Sequence, residues 1–200
     1  MRVTAILQAC GLRQWPECIS EEDRQWYMQR GSANHAATAQ YDAGTLDWHK
    51  LDPRISGFVQ GYEKFRREVG GIIVAREQKV HGIGYRMEYE GTLDIVLENC
   101  KLYPGRARCV LFDIKTNDAD RYTRLQTSGY KLAYRGTGMK FLKRGFISLH
   151  ENGSYHAGLY DGDASDDFTW RACVKWANGV DVERQKEIVH SWLTKHGVSE

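Results

Sequence analysis

The sequence predicts an α/β (α+β) domain with a central mixed β-sheet flanked by helices. Three observations carry that expectation. Helical periodicity marks residues 20–40 and 53–70, gives way to strand-like alternation after Gly70-Gly71, and returns twice further on. The segment "RCVLFDIKT" is a dense apolar run, the mark of a strand buried on both faces. The order of helices, strands, helix, hairpin and helices gathers the strands in mid-chain.

The elements follow in order. "MRVTAILQACGL" has a short apolar stretch, one Arg before it and no convincing small-residue cleavage site, so it reads as the first packed segment of the fold. Residues 20–40 read as helix, with Ser20 as N-cap, acids in the first turn and an interruption at Gly31. Residues 43–53 read as loop. "PRISGFVQGYEKFRREVG" (53–70) reads as a second helix, from Pro53 to Gly70-Gly71. Residues 71–100 read as strands broken by Gly turns, and "RCVLFDIKT" as the third strand of a meander. "DADRYTRLQTSGYKLAYRGTG" returns to helix and is closed by Gly136 and Gly138. "RGFISLHENGSYHAGLY" is a hairpin turning at Asn152-Gly153, and "DDFTWRACVKWANG" and "VERQKEIVHSWLTKHG" are closing helices. The expected organisation is one domain over 1–200, with a helical part at 1–70, a sheet core carrying the candidate site at 71–160, and C-terminal helices at 161–200. Trp15, Trp26 and Trp48 would cap the sheet from the helical part.

Composition narrows the classes. A net charge of +2 is too small to argue for nucleic acid by itself, so that case must rest on local clusters. Five Cys with no CxxC argue against a disulfide framework or a zinc knuckle and fit a reducing cytoplasm. No apolar run approaches the roughly 18 residues of a membrane span.

The chemistry concentrates around a repeated tetrapeptide. Gly-Thr-Leu-Asp occurs at Gly44–Asp47 and at Gly91–Asp94, but the flanking sequences do not align, so it marks no repeat. Asp47 lies in a loop between two helices and reads as a turn residue. Asp94 enters a strand, and the next strand carries Asp113 and Lys115, two apart and therefore on one face. If those strands pair, Asp94 and Asp113 converge, and a hard divalent cation relieves the repulsion of two carboxylates. A Lys beside such an ion can orient or help deprotonate an attacking water. Downstream, Gln126 and Tyr130 share a helix face at i, i+4. Upstream, Gly31 and His35 stand four apart on a helix, and His35 is a candidate nitrogen ligand.

This ordered set resembles the PD-(D/E)XK nuclease superfamily, and within it the RecB-type branch that includes phage exonucleases. The matching residues are Gly31 and His35, Glu77 in "VAREQKV", Gly91 and Asp94, Asp113 and Lys115, and Gln126 and Tyr130. The resemblance implies a restriction-endonuclease-like core and hydrolysis of DNA from its ends with Mg²⁺ or Mn²⁺, as one ion or two. It implies that His35, Asp94, Asp113 and the main-chain carbonyl of Ile114 hold the metal. Lys115 would position the water, Gln126 and Tyr130 would steady the lysine or the DNA backbone, and Glu77 would support a second ion or bound waters. The D-x-K acid is Asp where many relatives have Glu. Several relatives carry an iron–sulfur cluster with three Cys near the C-terminus. Here only Cys173 lies in that part, so no cluster is expected.

Arg121, Arg124, Lys131, Arg135, Lys140, Lys143 and Arg144, interleaved with Tyr134 and Phe141, form a basic, aromatic stretch suited to a DNA backbone and stacked bases. The expected partner is DNA. The resemblance also suggests a role in recombination or replication, a phage origin with action in the host cytoplasm, a recombination annealing protein as a second partner, and an oligomeric state that is left open. Two alternatives stay open at the level of sequence: a structure-specific endonuclease, and a non-catalytic DNA-binding module on a nuclease scaffold.

Overall fold

Ser20 starts the first long helix as its sequence demands. Its Oγ accepts a hydrogen bond from the Asp23 amide at 3.0 Å, and Glu21, Glu22 and Asp23 place negative charge at the positive end of the helix dipole. The computed structural model describes residues 1–119, 122–134 and 141–196. It comprises helices α1 (Val3–Ala9), α2 (Glu21–Asp42), α3 (Pro53–Val69), α4 (Thr123–Tyr134), α5 (Asp163–Ala177) and α6 (Val182–Lys195). Its strands are β1 (Ile72–Gly84), β2 (Met87–Glu98), β3 (Arg108–Lys115), β4 (Phe141–Leu149) and β5 (Tyr155–Leu159). Helix α2 runs through Gly31 without the expected interruption. One glycine costs a helix about 1 kcal/mol, and the buried side chains of Arg30, Asn34, Ala37 and Thr38 anchor both sides of it. Helix α3 begins as expected, with Asp52 capping the Arg54 amide at 2.9 Å and Pro53 in the first turn.

The sheet order is β1-β2-β3-β4-β5. The first three strands form the antiparallel meander, β3 and β4 are parallel, and β4 and β5 form the closing hairpin. A parallel pair needs a crossover, and α4 supplies it. All residues of β3 from Cys109 to Ile114 are buried, as their apolar run predicts for a central strand.

Two cores cover the sheet. On one face Leu93, Val96 and Leu111 pack with Ile6, Leu7, Leu125, Trp170 and Trp192 from α1, α4, α5 and α6. On the other, Ile95, Leu97, Val110 and Phe112 pack with Phe58, Tyr62 and Phe65 of α3. Strict alternation would put Leu93 and Ile95 on the same face. They lie on opposite faces, so the alternation of β2 slips by one at Asp94. The β1 residue opposite, between the pairs Arg76–Ile95 and Gln78–Leu93, is Glu77, whose φ is +46°.

The capping role expected for Trp15, Trp26 and Trp48 is not what the structure presents. Trp15 and Trp48 stay 38% and 39% exposed, and Trp15 stacks on Tyr27 rather than entering either core. All five cysteines are free thiols. Among the described residues no helix is long and apolar enough to cross a membrane.

Candidate metal centre and cleft

The sequence-predicted groups come from five elements and line one cleft of about 540 Å³: His35 from α2, Glu77 from β1, Asp94 from β2, Asp113 and Lys115 from β3, and Gln126 and Tyr130 from α4. The antiparallel β2–β3 register pairs Ile95 with Phe112. The next step along it sets Asp94 opposite Asp113, which is the convergence the sequence requires. Asp94 is held by its Oδ2, which accepts the Ile114 amide at 2.6 Å.

His35 faces this pair from α2. Its Nδ1 lies 3.3 Å from Glu77 Oε1 and 3.5 Å from Asp94 Oδ1. Ligand atoms of His35, Glu77 and Asp94 all lie within 4.8 Å of one another. Two carboxylates and one imidazole are a donor set that could hold a divalent cation. The composition of this cluster differs from the expected ligand set. Glu77, expected only as support, belongs to it, and the left-handed backbone at Glu77 brings its carboxylate there. A non-glycine residue in that conformation costs on the order of 1 kcal/mol and persists only where surrounding structure enforces it. The enforcing group is Arg76. Its Nη1 donates to the Asp94 carbonyl at 2.9 Å and lies 3.3 Å from Glu77 Oε1, while its Nε lies 3.1 Å from the buried Asp42.

Asp113 lines the same cleft and belongs to a three-residue ring. Lys115 Nζ lies 2.7 Å from Asp113 Oδ2 and donates to Gln126 Oε1 at 3.3 Å. Gln126 Nε2 donates to Asp113 Oδ1 at 2.9 Å and to the Tyr130 hydroxyl at 3.1 Å. One glutamine therefore fixes both members of the D-x-K pair. Tyr130 in turn rests on Gly91, where a methyl group would fall on the tyrosine ring, well inside contact distance. That contact explains the glycine of G-x-x-D. Gly31 is different, because a methyl there meets nothing within 4 Å. Gly91→Ala is expected to cost about 1–3 kcal/mol of stability by overpacking, while Gly31→Ala, which removes a glycine from a helix interior, should gain up to about 1 kcal/mol. Urea titration of the two variants checks the opposite signs.

The carboxylates of the cleft raise the proton affinity of their neighbours. Burial alone would lower the His35 imidazole, but Asp94, Glu77 and Asp113 outweigh it and push its pKa up to about 9. Burial and the Asp113 charge push Asp94 up to about 7, against the opposing pull of His35, the Ile114 amide and Lys115. Burial, with Asp113 and Asp94, also pushes the Tyr130 hydroxyl up, so it stays a neutral donor. Both raised groups bind protons more tightly when folded. The stability from His35 is complete below its ordinary 6.5 and is lost as pH rises through about 9; that from Asp94 is lost between about 4 and 7. An ion that takes His35 as a ligand must displace its proton. Divalent-ion affinity is therefore expected to rise by up to about tenfold per pH unit between pH 7 and 9. Calorimetry in two buffers of different ionisation enthalpy should count about one proton released per ion at pH 8, where Asp94 is already ionised. Release of none would remove His35 from the ligand set.

The basic stretch requires correction. Arg144 and Lys131 are 0% and 1% exposed, and they pair with Asp166 at 2.6 Å and Asp167 at 3.1 Å. Arg124 pairs with Asp166 at 3.2 Å and donates to the Asp161 carbonyl. These three cations are spent inside the fold and do not form a DNA-facing row. Lys143 lies over the Tyr103 ring and lines neither the cleft nor the cavity beside it, so it too leaves the expected DNA-facing row. Arg121, Arg135 and Lys140 lie outside the described residues. Sequence reasoning passed over Thr4, Arg13 and Ser32, which also line the cleft, and the buttress Arg76. Arg13 sits in an irregular segment with no motif, and Arg76 is marked only by adjacency to Glu77.

No protein-family profile and no curated protein sequence matches this chain. Its fold does match a solved structure. The crystal structure of a "Putative exonuclease" from Eubacterium rectale superposes with a TM-score of 0.51 at 10% identity, over 100% of this chain and 88% of that one. At that identity the likeness is one of fold.

Proposed function

We propose that this protein is a metal-dependent DNA exonuclease of the PD-(D/E)XK type. The observation that carries this reading is the placement of the His35–Glu77–Asp94 donor cluster beside the Asp113–Lys115–Gln126 ring in one open cleft. The fold likeness to a structure described as an exonuclease supports it. A divalent ion at the cluster would neutralise a phosphate and acidify a water. Asp113 and the Ile114 carbonyl would complete its coordination from β3. Lys115, held by Asp113 and Gln126, is placed to orient the attacking water and to meet charge that develops on the phosphate. Tyr130 is a neutral hydrogen-bond donor at the wall of the cleft.

The test is incubation with linear and with covalently closed circular DNA, in Mg²⁺, Mn²⁺ or EDTA. Loss of linear DNA to short products, with circles spared and EDTA silencing the reaction, is the expected result. Cutting of circles would replace the exonuclease reading by an endonuclease. Binding without cleavage in any metal would leave only a DNA-binding scaffold.

A further inference from the structure

The cleft continues beyond Tyr130. A second cavity of about 410 Å³ shares Thr4 and Tyr130 with the first and is lined by Arg2, Lys79, His81 and Glu90 among others. The sheet explains why these side chains gather. On β1, Lys79 and His81 are two apart and pair with Thr92 and Glu90 of β2. Paired residues share a face of the sheet. On the opposite flank of β2, Arg2 forms a parallel bridge to Glu90, so the start of the chain occupies the lane that β3 fills further along. Arg2, Glu90 and His81 thus make one transverse row, Thr92 and Lys79 the next, and Asp94 follows on β2. Each step of two residues is about 7 Å. Among the described residues no carboxylate forms an ion pair with Arg2, Lys79 or Arg13.

We infer that Arg2, Lys79 and His81 form a phosphate subsite that receives the DNA strand as it leaves the metal cluster, with Arg13 binding a phosphate inside the cleft. The inference rests on the nuclease reading, since it assigns the path of that enzyme's substrate. It moves the nucleic-acid contacts from the α4–β4 stretch, where Arg124, Lys131 and Arg144 are internally paired, to the exposed face of the β1–β2 hairpin. Glu90 is the one acid in the group and opposes an anionic strand there. The ligand chemistry is a phosphate oxygen, which either an internal diester or a terminal phosphate can supply.

The test measures binding of oligonucleotides in Ca²⁺ across a salt series, and cleavage in Mg²⁺, for wild type, Arg2→Ala/Lys79→Ala, Arg13→Ala, Glu90→Gln and, as a distant control, Lys143→Ala. Each lost phosphate contact should flatten the slope of log K against log salt by about 0.7–0.9. The expected result is at least tenfold weaker binding and a higher KM for the double variant, tighter binding for Glu90→Gln, and no change for Lys143→Ala, with melting temperatures matched throughout. Substrates ended by phosphate or by hydroxyl separate the sources: a defect confined to phosphate ends marks a terminal subsite, and a defect on both marks an internal one. Unchanged slope and KM in the double variant, in an enzyme that cuts DNA, would overturn the subsite and leave the nuclease reading intact. If the wild type neither binds nor cuts DNA, both fall together.

Discussion

Replacing Lys115 with Met is expected to lower the rate of the proposed DNA cleavage by about 10²–10⁴-fold at saturating substrate, the range of a positioned acid–base group. Met keeps the length and much of the packing of the side chain and removes only its charge and its donors. The loss should fall on kcat, because Lys115 touches Asp113 and Gln126 in the cleft, while Arg2, Lys79 and His81 line a separate cavity. Lys115→Arg should not restore the rate, since a planar guanidinium cannot take the place of a compact ammonium between a carboxylate and a glutamine oxygen. Removing the ammonium also leaves Asp113, 1% exposed, without its cation. Unfolding should therefore be followed in saturating Mn²⁺, which stabilises whichever state binds it. A Lys115→Met enzyme within tenfold of wild type would take the lysine out of the chemistry.

Asp166→Ala is expected to cost about 3–5 kcal/mol, the range for removing one partner of a buried ion pair. The side chain is fully buried on α5 and ties four elements together. Its Oδ2 lies 2.6 Å from Arg144 of β4 and 3.2 Å from Arg124 of α4, and its Oδ1 accepts the Trp192 indole N–H of α6 at 2.8 Å. Without it, a guanidinium with no exposure loses a carboxylate partner at 2.6 Å. Asp166→Asn should be milder, because the amide keeps an acceptor for one of these donors. Denaturant midpoints for the two variants measure the difference. A cost below about 1 kcal/mol for the Ala variant would show that the other partners of Arg144, or water, hold its charge without Asp166.

The order of elements was legible because period, caps and glycine turns agree with one another. Ser20, Asp52-Pro53 and Asn152-Gly153 each do locally what their chemistry predicts. The site was legible as a set of residue types in order, and its convergence needed only the β2–β3 pairing. Two things were hidden. The part of Glu77 depends on a left-handed backbone opposite Asp94 that no glutamate advertises. The basic stretch looked solvated because its acids, Asp166 and Asp167, stand on α5, far along the chain from Lys131 and Arg144. A run of cations says nothing about anions that only tertiary packing brings to it.

The turned backbone at Glu77 has a consequence away from the cleft. Strand β1 is thirteen residues long, forms the outer edge of the sheet, and leaves Ile72, Val74 and Ile83 exposed. A straight outer strand of that length and apolarity is a template on which another chain can add. The register shift between Ile73 and Ala75 and the reversal at Glu77 divide it into short pieces, and the exposed Gln78 and Lys79 put polar groups along it. The distortion that delivers a carboxylate to the cleft also keeps the free edge from recruiting copies of itself.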